Sequence, residues 1–147
     1  MENLHLTLKF FGDIDTEGID LLSSRISEVV SNFDNFNVKI KGCGAFPNTN
    51  RSKVIWLGLE EDETVKKLHD ELDKEFVKLG FDKDKKFSSH LTIGRMKSGK
   101  GKNEIKSTIE EFSEIEIGEM DVDRIVLKKS TLTPQGPIYE DLEIFEL

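Results

Sequence analysis

Residues 4–8 read Leu-His-Leu-Thr-Leu and residues 89–93 read Ser-His-Leu-Thr-Ile, so two nearly identical strings carry histidines 85 residues apart. Strict alternation of this kind fits a β-strand, in which side chains i and i+2 share a face. His5 and Thr7 then share one face, while Leu4, Leu6, Leu8 and Phe10 share the other. His90 and Thr92 likewise share a face, opposite Leu91 and Ile93. A strand with an aliphatic core face normally shows solvent Lys, Glu or Thr on its other side. Imidazole plus hydroxyl stands there instead, twice, in a chain with three histidines. Each motif strand precedes a helix, so the repeat predicts two similar lobes related by a pseudo-twofold axis. A groove between them would be lined by both His-x-Thr pairs. Two imidazoles facing one groove are the parts needed for general acid–base work near neutral pH.

At 147 residues the chain fits a single domain, 1–147, and can bury a real core. Hydrophobic residues make up 36% and charged residues 34%, a globular composition rather than a disordered one. The apolar runs are too short for a transmembrane helix. The sequence opens straight into the first motif, with no signal-peptide pattern. Cys43 is the single cysteine, so no internal disulfide can form, and the expected compartment is the cytoplasm.

The net charge of −8 argues against non-specific binding to long nucleic acid, which basic surface drives. The charge is unevenly placed, however. Residues 83–102 hold Lys83, Lys85, Lys86, Arg95, Lys97, Lys100 and Lys102 against a lone Asp84, with the second motif in their midst. The window reads either as two solvated lysine loops or as a local anion site, such as one for the end of a phosphorylated chain.

Periodicity gives the remaining elements. Strands are expected over 3–11, 36–46, 53–59, 87–94, 121–130 and 138–146. Helices are expected over 17–32, with Ile19, Leu22, Ile26 and Val29 in register, and over 63–79, with Val65, Leu68, Leu72, Phe76 and Leu79. A short helix is expected over 103–112, with Ile105, Ile109 and Phe112 inward. Asp62 and Gly80 suit the two ends of the second helix. Phe46 to Asn50 and Thr133 to Pro137 read as turns, and Lys97 to Lys102 as a flexible loop. The order predicts an α+β domain with largely antiparallel sheet and flanking helices.

The strings Leu4-His5-Leu6-Thr7-Leu8-Lys9-Phe10-Phe11-Gly12 and Ser89-His90-Leu91-Thr92-Ile93-Gly94-Arg95 resemble the two signatures of the 2H phosphoesterases. Within that superfamily the likeness is to the RNA 2′,3′-cyclic phosphodiesterases, also named 2′-5′ RNA ligases. Gly42 to Pro47, Val54 to Leu59, Leu127 to Ser130 and Gly136 to Tyr139 extend it across the chain. One copy of the motif alone would be weak evidence; two in this context are specific. Such proteins usually carry a strand and a helix before the first motif, whereas this sequence begins at the motif. A sheet edge or core face is then expected to lie uncovered.

The resemblance implies hydrolysis of RNA 2′,3′-cyclic phosphate ends to 2′-phosphomonoesters, with ATP-independent 2′-5′ ligation as the reverse reaction. It implies His90 as base and His5 as acid; the symmetry of the motif leaves that order open from the residues alone. Thr7 and Thr92 would donate to the non-bridging oxygens as charge builds on them. No metal or other cofactor is expected. The partners implied are RNA with a cyclic phosphate end, tRNA halves among them, or a small cyclic nucleotide, with no membrane and no obligatory protein partner.

Read singly, either histidine passes for a half-buried structural residue; the pairing with matched threonines makes catalysis the better reading. Arg95 stands five after His90, where the family has a phosphate-contacting arginine. Strict alternation, however, puts it with Leu91 and Ile93 unless the chain bends at Gly94. Phe11 continues the face of His5 and Thr7, suited to stacking on a base or to the core. Lys9 and Lys53 meet either phosphate or solvent. His69 reads as structural or exposed, Trp56 as core, and Tyr139 as a candidate for the groove edge. The alternative function is a binding module that recognises RNA ends without turnover. A metal hydrolase is disfavoured, because two histidines with no Asp or Glu on the motif faces make a poor ligand set.

Overall fold

The structure, a computed structural model, describes residues 4–60, 62–97 and 101–147. Asn3 of the expected first strand, and Ser98, Gly99 and Lys100 of the expected loop, lie outside them. In chain order the elements are α1 (Thr16–Val30), β1 (Phe36–Phe46), a 3₁₀ turn (Thr49–Arg51), β2 (Val54–Glu60), α2 (Glu63–Lys78), β3 (His90–Arg95), α3 (Lys102–Glu111), β4 (Glu116–Val122), β5 (Arg124–Thr133) and β6 (Gly136–Glu146). The class is α+β, as the pattern predicts, and β1–β2, β2–β3 and β5–β6 pair antiparallel. Among the described residues no helix is long and apolar enough to cross a membrane.

Backbone contacts gather the chain into two compact units. The first comprises Met1–Leu8, Asn37–Glu63 and Ser88–Met120, and the second Lys9–Phe36, Thr64–Phe87 and Asp121–Leu147. Both His-x-Thr copies therefore belong to the first unit.

That unit holds a four-stranded sheet in the order β3-β2-β1-β4. Its buried side chains include Val38 and Ala45 on β1, Leu91 on β3 and Ile109 on α3, with Leu91 fully inaccessible. Two expectations need correction here. The first motif does not form a ladder-long strand; it meets β3 through a single antiparallel bridge, Leu6 to Leu91. From Lys9 onward the chain belongs to the second unit, which ends its run beside β3. The other correction is β4, which the sequence pattern missed. Ile115 and Ile117 alternate with glutamates, but the alternation slips at Gly118 (φ 157°) and resumes out of phase at Met120 and Val122. Four of its seven residues in succession are exposed, so burial imposes no continuous apolar period on this edge strand.

The second unit is built on two amphipathic helices and a hairpin. The Asp15 carboxylate caps α1 by accepting the Gly18 N–H at 2.8 Å, and Leu22, Ile26, Val29 and Val30 are buried. On α2 the buried apolar stripe is Val65, Leu68, Leu72 and Phe76. Gly80, at φ +96°, closes that helix. Its N–H bonds to the Val77 carbonyl at 3.0 Å, and the Phe81 N–H bonds to the Phe76 carbonyl at 3.1 Å. This Schellman end requires a left-handed residue, which is why glycine stands there. β5 and β6 run closer to their turn than expected, leaving only Pro134 and Gln135 between strands. Leu127 and Phe145 are the buried residues of the hairpin, and α1 packs on β6.

Candidate active site

The Leu6–Leu91 bridge sets the geometry of the site. Directly opposed residues in an antiparallel pair point to the same face, so Leu6 and Leu91 face the core together. Their neighbours His5, Thr7, His90 and Thr92 therefore turn to the other face together. Continuing the register aligns His5 with Thr92 and Thr7 with His90. His5, His90 and Thr92 are half-buried and Thr7 is exposed. By this alternation the four motif residues share one face of one unit.

Arg95 joins them through a bulge. In the β2–β3 ladder Gly58 pairs with His90, Leu57 with Leu91 and Trp56 with Thr92, but Ile55 pairs with Gly94, leaving Ile93 as an extra residue. A β-bulge reverses the alternation of everything beyond it. Val54 pairs with Arg95, and Val54 lies on the same face of β2 as Trp56. Arg95 is therefore on the His90–Thr92 face, and Ile93 is displaced into solvent at 50% exposure. The bend comes one residue before Gly94.

The surroundings of His90 define its tautomer. Its Nδ1 is 2.7 Å from the Ser88 carbonyl oxygen. A carbonyl only accepts, so Nδ1 carries the hydrogen and, in the neutral ring, Nε2 keeps the lone pair. Phe46 stands edge-on to the imidazole at 5.0 Å, and the Trp56 ring lies 6.2 Å from it. Phe46 and Trp56 are 5.5 Å apart. Trp56 is thus a half-buried wall of the site and not the core residue its sequence context suggests. Its Nε1–H is buried without a hydrogen-bond partner among the described residues. Gly44 pairs with Trp56 across β1 and β2, and a Cβ at position 44 would fall 2.2 Å from Trp56 Cζ2. The indole therefore lies directly on the β1 backbone. The signal that would have identified this wall was the spacing of Gly44 and Phe46 on β1, which leaves room opposite an aromatic residue on β2.

Two candidates go elsewhere. Lys9 is buried in the second unit, with its ammonium 2.5 Å from Asp73 Oδ1, 2.7 Å from the Asp82 carbonyl and 3.0 Å from Asp84 Oδ1. All three of its hydrogens have protein acceptors, which leaves none for phosphate. Phe11 packs edge-on against Phe76 at 4.8 Å and Phe81 at 5.1 Å, a core position rather than a base-stacking one. Alternation along the motif assigned both to the site face, but the chain leaves β3 after Thr7. Tyr139 pairs with Ser130 in the hairpin. The basic residues Lys83, Lys85, Lys86, Arg95, Lys97 and Lys102 are all exposed; Lys100 lies outside the described residues. Lys53 is exposed as well, and its carbonyl accepts the Met96 N–H at 2.9 Å.

His69, Asp73 and Asp84 form a group of metal-capable side chains, but the Lys9 ammonium already supplies its cation. Desolvation opposes the charge on Lys9, yet hydrogen bonds from the ammonium to Asp73 and Asp84 outweigh it and hold the lysine above its ordinary value of 10.5. Burial likewise opposes ionisation of Asp84, and the hydrogen bonds to His69 and Lys9 overcome it, lowering its pKa from 3.8. A carboxylate depressed in the folded state stabilises it fully above the unfolded value and loses that contribution as pH falls through the folded value. The urea midpoint is accordingly expected to fall as pH drops below about 4, with Asp84→Asn showing a shallower fall. An equally steep fall in the variant would place the acid sensitivity in other groups.

A family model described as the 2′-5′ RNA ligase superfamily matches residues 2–132. A Methanothermobacter thermautotrophicus protein named RNA 2′,3′-cyclic phosphodiesterase is 41% identical over 99% of this chain and 79% of its own length. An Archaeoglobus fulgidus protein of the same name is 42% identical over 99% of this chain and 80% of its own. The crystal structure of a Thermus thermophilus protein superposes with a TM-score of 0.82 at 27% identity, covering 98% of this chain and 78% of the other.

Proposed function

The chain belongs to the 2′-5′ RNA ligase superfamily, and on that premise we propose that it is an RNA 2′,3′-cyclic phosphodiesterase whose metal-independent reaction is run by His90 and His5 as base and acid. The observation that supports this reading is the Leu6–Leu91 bridge, since alternation about it gives both histidines and both threonines a common face. A water held near His90 Nε2 gives up a proton as its oxygen attacks phosphorus. The P–O3′ bond breaks in line, and protonated His5 supplies the proton to the departing ribose oxygen. The product is a 2′-phosphomonoester. As His90 becomes imidazolium, its Nδ1–H bond to the Ser88 carbonyl strengthens, which stabilises the charge the ring has gained. Thr7, Thr92 and the Arg95 guanidinium meet the negative charge on the phosphoryl oxygens. Phe46 and Trp56 offer aromatic faces beside His90 on which a nucleobase can stack. With the 5′-hydroxyl of a second RNA in place of water, the same groups would form a 2′-5′ linkage without ATP. tRNA halves and short oligonucleotides are the substrates proposed, in the cytoplasm, where the lone Cys43 stays reduced.

The test is incubation with a short RNA ending in a 2′,3′-cyclic phosphate, with a chelator present throughout. Quantitative opening to a 2′-phosphate is expected, at the same rate with and without the chelator. A 3′-phosphate product would reverse the assigned leaving oxygen, and loss of turnover on chelation would overturn the metal-free mechanism. Tight binding of the RNA end without turnover would favour the binding-module alternative.

A further inference from the structure

We propose that Lys9 is a positioning residue for this reaction: the buried network it makes with Asp73, Asp84 and His69 fixes the irregular segment that leads into His90, and so holds the imidazole in its working tautomer. The proposal rests on the reading of His90 as base.

Residues 81–89, between α2 and β3, form no regular secondary structure. No helix or ladder holds that backbone, so its shape depends on side-chain anchors. Three of its residues are tied to one cluster. The Asp82 carbonyl accepts from Lys9. The Asp84 backbone N–H donates to Asp73 Oδ2 at 3.2 Å, and the Asp84 carboxylate meets Lys9 through Oδ1 and His69 Nε2 through Oδ2, each at 3.0 Å. The Phe87 ring stacks flat on His69 at 4.0 Å, with 9° between planes. The next residue along the chain is Ser88, whose carbonyl holds His90 Nδ1–H. One residue further, the Ser89 hydroxyl donates to the Asp62 carboxylate.

Lys9 is the centre of this arrangement. Its side chain is 7% exposed and that of Asp73 6%. Burying such charges costs desolvation, and the directed hydrogen bonds that offset it also hold the network in one geometry. The ammonium has one direction for each of its three bonds, and two of them run to the segment before His90. Lys9 also follows Thr7 by two residues in the chain. The upward displacement of Lys9 and downward displacement of Asp84 keep both charged across the neutral range.

The experiment compares Lys9→Met, which keeps the length of the stem and removes the charge, with Lys9→Arg, which keeps the charge. Steady-state kinetics on the cyclic-phosphate RNA are read alongside the ¹⁵N resonances of the His90 ring. Lys9→Met is expected to lower kcat by ~10–10²-fold, the scale of a small misplacement of a catalytic group, with KM within about twofold of wild type. Its His90 nitrogens are expected to shift toward a mixture of Nδ1–H and Nε2–H tautomers. Lys9→Arg is expected to recover most of both. A raised KM with intact kcat would show Lys9 touching substrate instead. Unchanged kcat and unchanged nitrogen resonances in a folded Lys9→Met chain would overturn the proposal. If Lys9→Met does not fold, Asp84→Asn, which keeps its size and an acceptor, is judged by the same two readouts. The nitrogen resonances are independent of turnover. Wild-type activity that survived His90→Ala would therefore sink the catalytic reading, while the resonances still decided whether the network sets the ring.

Discussion

His90→Ala is expected to open a 2′,3′-cyclic phosphate RNA end ~10²–10⁴-fold more slowly than wild type, the range of a positioned proton transfer. The loss should fall on kcat rather than on KM, because the lone pair on Nε2 matters most when the attacking water sheds its proton. The ring is fixed on its far side by the Ser88 carbonyl at 2.7 Å and flanked by Phe46 and Trp56. His5 is the other imidazole of the first unit. His5→Ala should cost a similar factor, and the double variant little more than either single, since the two act as one unit. The pH profile separates their roles. Wild-type kcat/KM should be bell-shaped, with the acid limb reporting the base and the alkaline limb the acid. His90→Ala should lose the acid limb and His5→Ala the alkaline one. The opposite pattern would exchange the two assignments, and wild-type rates in either variant would remove that histidine from the mechanism.

What the amino-acid pattern could reveal depended on how local each determinant is. The helices were legible because one buried stripe repeats at a spacing that only a helix brings to one face: Leu22, Ile26 and Val29 in α1, and Val65, Leu68, Leu72 and Phe76 in α2. The alternation of the two motifs reads in the same way, with a period of two. Alternation leaves the face of Arg95 open, because the bulge at Ile93 is set by pairing with β2 and leaves no mark in β3 itself. Lys9 and Phe11 were assigned to the site by continuing the alternation past the point where the chain leaves β3. Their partners, Asp73 and Asp84 for one and Phe76 and Phe81 for the other, stand more than sixty residues away. Trp56 shows the converse. Its neighbours Val54, Ile55 and Leu57 suggest a buried strand, yet every residue of β2 is only partly buried, and the indole faces the side that carries His90.

Gly44→Val is expected to damage stability and activity together, because one atom there meets the wall of the site. The Cβ alone would lie 2.2 Å from Trp56 Cζ2, 2.6 Å from Cη2 and 2.7 Å from Cε2. Those atoms belong to a rigid ring system, not to the end of a flexible chain, so either the indole turns away or β1 separates from β2. Overpacking of this kind costs ~1–3 kcal/mol, and valine's two methyl groups place it at the upper end. Both escapes also move Trp56 relative to Phe46 and His90, so activity should fall by more than the loss of folded protein explains. The chain has a single tryptophan, and its emission reports the seat of the ring directly. Gly44→Val should shift that emission and lower the urea midpoint together. The paired test is the same substitution in a Trp56→Leu background, where the collision no longer exists. There Gly44→Val should cost less, with a coupling of ~0.5–3 kcal/mol between the two positions. Strictly additive effects would mean that glycine is required at position 44 for the β1 backbone itself. The close approach of Trp56 would then play no part in building the site.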